Sequence, residues 1–228
     1  MFNMIKLDWL GMKYYWLRII IVPIVIAFYG ILNEALIIPF VSFMFLSFSV
    51  NPFAVEEKGK LDNLYLTLPI TRKTIVKTRY CLSLIMQLVG IIFGIIVTVL
   101  MASILNGKTI IYKHVFTADF QKILLLVCGS LLSYAVMNLA MFPTLFKIGY
   151  AKGKSIGFYI PVVAVTIILF ALYLLWYVND DFKQWLINAI GWAYNNPLCI
   201  SGIMLVSASL LLALSYVLSN LFYSKREF

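Results

Sequence analysis

Six apolar stretches, separated by polar breaks, organise this chain. They run from about Trp16 to Leu32, Ala35 to Val50, Tyr80 to Leu105, Ile123 to Phe146, Ile156 to Val178 and Leu198 to Tyr223. A helix needs about 20 apolar residues to cross a hydrocarbon core of roughly 30 Å. The last four stretches meet that length comfortably. The first two are short and are joined by a tight turn at Asn33 and Glu34, so a single re-entrant hairpin stands as the alternative to two crossings. Backbone groups in lipid must bond internally, and long apolar runs with few prolines suit helices. The ten-residue alternation of a barrel strand is absent. The pattern predicts an all-α integral membrane protein of six transmembrane helices, folded as one domain over residues 1–228.

Between the spans, three segments have patterns of their own. From Met1 to Leu17, the side chains of Phe2, Ile5, Trp9, Met12 and Trp16 fall within about 80° of arc at 100° per residue, which predicts an interfacial helix. Lys6 and Lys13 flank that stripe, within reach of anionic headgroups. Leu7, Leu10 and Leu17 spread onto a second face that suits packing against the spans. The break holding Asp180, Asp181, Trp185, Trp192 and Tyr194 also reads as interfacial, its aromatics matching a headgroup belt.

The longest break, Asn51 to Tyr80, divides into three parts. Glu56, Glu57, Lys58 and Lys60 make a charged turn where the chain leaves the membrane. Leu61, Leu64, Tyr65 and Leu68 then recur at helical spacing, predicting a two-turn amphipathic helix. Pro69 disfavours its continuation. Thr71 stands where an N-cap belongs, ahead of a basic helix leading into the third span. Arg72, Lys73, Lys77 and Arg79 oppose that helix's dipole, a modest penalty that anionic lipid or an acidic partner would offset. The apolar face of the short helix can be buried against the protein's own helices, against headgroups or against a soluble partner.

Composition agrees with lipid as the solvent. Hydrophobic residues make up 63% of the 228 and charged residues only 12%, about half the usual charged share of a soluble domain. The net charge of +9 does not point to nucleic acid, because the cations lie in the breaks. With six spans, 14 of the 18 Lys and Arg residues fall on the side that holds both termini. That bias orients the termini toward the cytoplasm. Lys6, Asp8, Lys13 and Arg18 interrupt the N-terminal region, which does not read as a cleavable signal peptide. Cys81, Cys128 and Cys199 lie in or beside spans and read as small hydrophobes; with His114 the only histidine, no metal spacing exists.

The run FAVEEKGKLDNLYLTLPITRKTIVKTRY resembles the cytoplasmic signature of permease subunits of ABC exporters of the second class, the ABC-2 type. The matching pieces are Glu56-Glu57-Lys58, then Leu68-Pro69-Ile70-Thr71-Arg72, then Arg79-Tyr80. Motif likeness covers about 30 residues, while size, span number and the N-terminal helix extend the likeness to the whole chain. Within that class, the small size resembles permeases that export amphipathic peptides, such as the phenol-soluble modulin exporters of Gram-positive bacteria. The resemblance implies a multi-pass protein of the bacterial plasma membrane with no ATP site of its own. A separate cytoplasmic ATPase dimer would bind ATP and Mg, and a second permease chain, identical or paralogous, would complete the pathway. It further implies that Glu56, Glu57, Lys60, Asp62, Leu64, Tyr65, Leu68, Pro69 and Arg72 contact the ATPase. Tyr65 and Leu68 would be apolar knobs, with Glu57 and Arg72 as a polar rim. The segment from Lys147 to Ser155, with Lys147, Lys152 and Lys154, would be a secondary contact.

Other strings are weaker than they look. Asn106-Gly107-Lys108-Thr109 ends like a phosphate-binding loop, but Ala102 replaces the required glycine. GYAKGKS, from Gly149 to Ser155, is one residue short and follows no strand. No nucleophile, base or carboxylate cluster lies within a span to support an enzyme. Charges inside the spans are nearly absent, Glu34 at the outer turn coming closest, which disfavours a proton- or sodium-coupled carrier. Gln87, Thr98, Ser130, Ser133, Asn138 and Ser207 read as helix–helix hydrogen-bonding groups. Gly90 and Gly94 suggest a close helix contact, and Pro143 and Pro161 suggest kinks. The expected role is the membrane subunit of an ATP-driven exporter for an amphipathic or hydrophobic substrate. The rival is a membrane immunity or scaffold protein that binds a peptide without ATP.

Overall fold

The computed structural model describes residues 37–59, 71–105 and 120–225, together with Trp9 and Ile21. Seven helices occupy the described residues, and no strand is present among them. They are α1 (Ile37–Ser49), α2 (Asn51–Gly59), α3 (Arg72–Leu105), α4 (Phe120–Ile148), α5 (Tyr150–Val178), α6 (Asp180–Asn195) and α7 (Pro197–Ser224). Four helical segments are long and apolar enough to cross a membrane: Arg72–Leu100, Ile123–Ile148, Tyr150–Val178 and Pro197–Ser224. These correspond to the last four expected spans. α1 lies on the second expected span, and its 13 residues rise only about 20 Å. The first expected span and the interfacial helix of residues 1–17 lie outside the described residues, apart from those two positions.

Two of the expected breaks are helical, while the basic helix expected after Thr71 runs without interruption into the third span: α3 is one continuous helix of 34 residues from Arg72, about 50 Å long. Thr71 caps it as expected, its hydroxyl accepting from the Thr74 N–H at 3.3 Å. The segment from Lys147 to Ser155 is not a loop. α4 continues to Ile148, only Gly149 breaks the helix, and α5 starts at Tyr150. Gly149 has φ 88°, a left-handed conformation that glycine adopts without strain. The break after the fifth span is itself a 16-residue helix, α6, whose first turn is capped by Asn179 accepting from the N–H groups of Asp181 and Phe182. Trp185 and Trp192 are exposed on it, as aromatics of a headgroup belt would be.

α4 is the central helix, packed against α7, α5 and α1, while α3 lies against α1 and α7. The glycines explain the closest approaches. A Cβ on Gly90 would sit 2.9 Å from Phe45 Cβ, and one on Gly94 would sit 3.1 Å from Ile38 Cα. The expected Gly90/Gly94 contact is therefore made within the chain, between α3 and α1. On α5 the buried residues are Gly153, Gly157 and Pro161, spaced by four along one face. A Cβ at Gly157 would lie 2.8 Å from Met141 Cα, and one at Gly153 would lie 3.1 Å from Leu145 Cα. The two glycines of GYAKGKS thus make the turn, at Gly149, and the helix contact, at Gly153. Of the three cysteines, Cys128 is buried, Cys81 half-buried and Cys199 exposed.

The main hydrophobic cluster lies at the Lys/Arg-rich end of the bundle. It joins Val50 and Phe53 to Ile75, Val76 and Tyr80, and these to Met141, Phe142, Leu145, Phe146 and Tyr223. Aromatic rings meet edge-on or tilted through it: Phe53 to Phe146 at 5.0 Å, Tyr80 to Phe142 at 4.8 Å and Phe146 to Tyr223 at 5.2 Å. Such pairings add about 0.5–1.5 kcal/mol each beyond burial. Helix ends that the topology brings together are welded there.

Candidate functional site

The signature stretch is built on α2, on the start of α3 and on what these two touch. α2 turns Pro52, Phe53, Ala54 and Glu56 inward and leaves Glu57, Lys58 and Gly59 exposed. Phe53 enters the aromatic cluster, which draws Glu56, one turn on, into the interior beside it. There the Glu56 Oε2 lies 3.0 Å from Arg79 Nη2. Arg79 is 1% exposed and Glu56 8%, and the guanidinium also stands over the Phe53 ring at 4.9 Å. A buried ion pair is a poor source of net stability, but removing one partner strands a desolvated charge. Its effect is to hold the second half of α2 against α3 two turns from its start.

Glu57 points the other way. Its Oε2 accepts from the backbone N–H groups of Tyr150 and Ala151 at 2.6 and 2.9 Å. A carboxylate from α2 thereby caps the first turn of α5, where orphan N–H groups and the helix dipole favour negative charge. The local N-cap residue, Gly149, has no side chain to do this. Arg72 makes the third link. Its Nη1 donates to the carbonyls of Tyr223 and Ser224 at 3.2 and 3.0 Å, the negative end of α7. Of the four cations opposing the α3 dipole, Arg79 is paired with a carboxylate and Arg72 is hydrogen-bonded to the α7 carbonyls, and only Lys73 and Lys77 are exposed.

A chain of hydroxyls continues the connection inward. Tyr80 Oη lies 2.6 Å from Ser215 Oγ and 2.8 Å from Ser219 Oγ. Ser215 donates to the Asn138 carbonyl at 2.9 Å, so Tyr80 must donate to Ser215 and accept from Ser219. The buried run from Ser219 through Tyr80 and Ser215 to Asn138 ties α7, α3 and α4 together. Ser83 Oγ and Tyr134 Oη, 2.8 Å apart, repeat the α3–α4 link one turn deeper.

Several of the residues expected at the ATPase contact have partners within the chain. Glu56 is not on the surface; its carboxylate faces Arg79. Glu57 is exposed but occupied by the start of α5, and Arg72 reaches the end of α7. Lys60, Asp62, Leu64, Tyr65, Leu68 and Pro69 lie outside the described residues. Lys147 stands over the Phe222 ring at 5.1 Å. Lys152 and Lys154 are exposed in the first turns of α5. Among the described residues no group of His, Cys, Asp and Glu could hold a metal ion.

A sequence profile described as ABC-2 family transporter protein matches residues 3–224. The chain belongs to the ABC-2 family of transporter proteins. Searches of curated proteins and of solved structures find no match. Family membership and the four apolar helices make this ABC-2 protein a multi-pass membrane component of an ABC transporter. It is a transport component, consistent with having no enzymatic role. Sequence reasoning did not find the Glu56–Arg79 pair, the Glu57 cap or the Tyr80 hydroxyl chain. Only the α5 contact had a readable signal, the four-residue spacing of Gly149, Gly153, Gly157 and Pro161.

Proposed function

We propose that this ABC-2 protein is the permease subunit of an ATP-driven exporter. A separate cytoplasmic ATPase dimer would bind ATP and Mg and dock on segment 60–70. The observation that carries this reading is the anchoring on both sides of that segment. Before it, Glu56 grips α3 and Glu57 grips α5; after it, Arg72 grips α7. Displacement of the intervening stretch would therefore pull on three membrane helices at once. Tyr65 and Leu68 are assigned as the apolar knobs, with Lys60, Asp62, Leu64 and Pro69 around them. Glu56, Glu57 and Arg72 transmit force rather than contact the ATPase.

The substrate class is amphipathic or hydrophobic, with cytotoxic peptides such as phenol-soluble modulins as the leading candidates, because apolar spans with few charges favour such molecules. Export would run outward across the bacterial plasma membrane, through a pathway shared with a second permease chain, identical or paralogous. The test is co-purification of the full chain with a soluble ABC ATPase, followed by Tyr65→Ala with Leu68→Ala. Loss of association and of stimulated hydrolysis, with folded yield retained, is the expected result. Intact association would overturn the docking assignment. Failure to find any ATPase partner for the unmodified chain would favour a peptide-binding immunity or scaffold protein.

A further inference from the structure

At the Lys/Arg-rich end, a cavity of about 590 Å³ opens between the α1–α2 junction and the start of α5. Its lining is part cationic and part aromatic. Lys58 and Lys154 supply two ammonium groups, while Phe48, Phe158 and Tyr159 supply an apolar wall. Lys154 and Tyr159 are about one and two and a half turns into α5, so the lining extends over about 7.5 Å along the axis between them. Lys154 Nζ donates to Tyr150 Oη at 3.3 Å and stands 5.5 Å from that ring's centroid.

The nearby acids do not neutralise these lysines. Glu56 pairs with Arg79, and Glu57 is taken up by the Tyr150 and Ala151 N–H groups. Among the described residues, neither Lys58 nor Lys154 has a carboxylate partner within 4.0 Å. Beside the cavity, the outer face of α5 is uncovered at Tyr159, Ile160 and Val163. Two unpaired cations above an aromatic wall, next to an apolar helix face, match a molecule with an anionic head and hydrocarbon tails. Basic pockets between transmembrane helices bind anionic lipid headgroups in this way.

We propose that this cavity binds one anionic glycerophospholipid, its phosphate between Lys58 and Lys154 and its acyl chains along α5. The site is independent of the exporter reading, since it requires neither ATP nor a transported substrate. The free phosphate of a soluble ester shares the head chemistry but lacks the tails.

The test is native mass spectrometry of the full chain in mild detergent, titrated with phosphatidylglycerol and, separately, phosphatidylcholine. One phosphatidylglycerol should be retained in preference to phosphatidylcholine. Lys58→Gln with Lys154→Gln should weaken it about thirtyfold. Lys58→Arg with Lys154→Arg should keep it, and Lys73→Gln with Lys77→Gln, an equal charge change on α3 outside the cavity lining, should leave it intact. The proposal is overturned if the α3 pair weakens binding as much as the cavity pair, or if the two lipids bind equally. Displacement of the lipid by glycerol 3-phosphate at equal concentration would overturn it in favour of a soluble anion. Displacement by an acidic amphipathic peptide that binds more tightly would overturn it in favour of a peptide site.

Discussion

α3 and α5 are equally apolar helices of similar length, yet 44% of the most apolar stretch of α3 is buried within the protein and only 6% of that of α5. α3 inserts Arg79, Tyr80, Ser83 and Gln87 into the interior and lets α1 approach over Gly90 and Gly94. α5 is attached through Gly153, Gly157 and Pro161, and beyond Pro161 almost every residue is exposed. Hydropathy therefore reports preference for lipid over water, and it does not distinguish a helix inside the bundle from one on its flank. In a bilayer the interior is chosen by packing of small residues and by polar links, because lipid tails are as apolar as leucine.

The comparison can be broken from the α3 side first. Glu56→Ala leaves Arg79 buried without its carboxylate and should cost about 3 kcal/mol, read as a lowered unfolding transition in detergent. Adding Arg79→Met should recover most of that loss; no recovery would mean that Glu56 acts through something other than the pair. Gly157→Leu attacks the flank helix where it touches α4 and should cost about 2–3 kcal/mol. Gly202→Leu, on α7 with nothing within 4 Å of its Cβ position, is the matched control and should be close to neutral. Equal effects at the two glycines would remove the case for a close α4–α5 contact.

Smaller changes sharpen the same contrast. Tyr80→Phe removes the hydroxyl between Ser215 and Ser219 and should cost about 1 kcal/mol. Glu57→Gln keeps an acceptor but loses charge at the start of α5, for a loss of about 0.5 kcal/mol that shrinks as salt is raised. Ile167→Ala, on the exposed face of α5, should change the stability of the isolated chain by no more than about 0.5 kcal/mol. A larger drop there would mean that another chain covers this face in the purified protein.

Much of the fold was readable because membrane crossing leaves a long signal. Each of the last four spans is a run of twenty or more apolar residues, and the four long helices fall on them. The differences came in the breaks. Thr71 announced the start of α3 at Arg72, because an N-cap is a local signal. Lys147 to Ser155 looks like a loop because it is basic and glycine-bearing, although one residue, Gly149, makes the whole reversal. The candidate site was legible only as a stretch of chain. Glu56 and Glu57 are adjacent in sequence and of the same chemical type, and nothing local distinguishes the one that meets Arg79 from the one that caps α5.

The sequence by itself determined that lipid surrounds most of this chain, where its long helices lie and which breaks concentrate positive charge. Those properties follow from composition and period, and each residue contributes to them independently of distant ones. Tertiary structure alone decided that Glu56 is interior and Glu57 is a cap, that Tyr80 connects to Ser215 and Ser219, and that α5 lies on the flank. These depend on which helix ends converge. That convergence is set by packing between residues as much as about 150 positions apart, such as Arg72 and Ser224, and no local pattern encodes it.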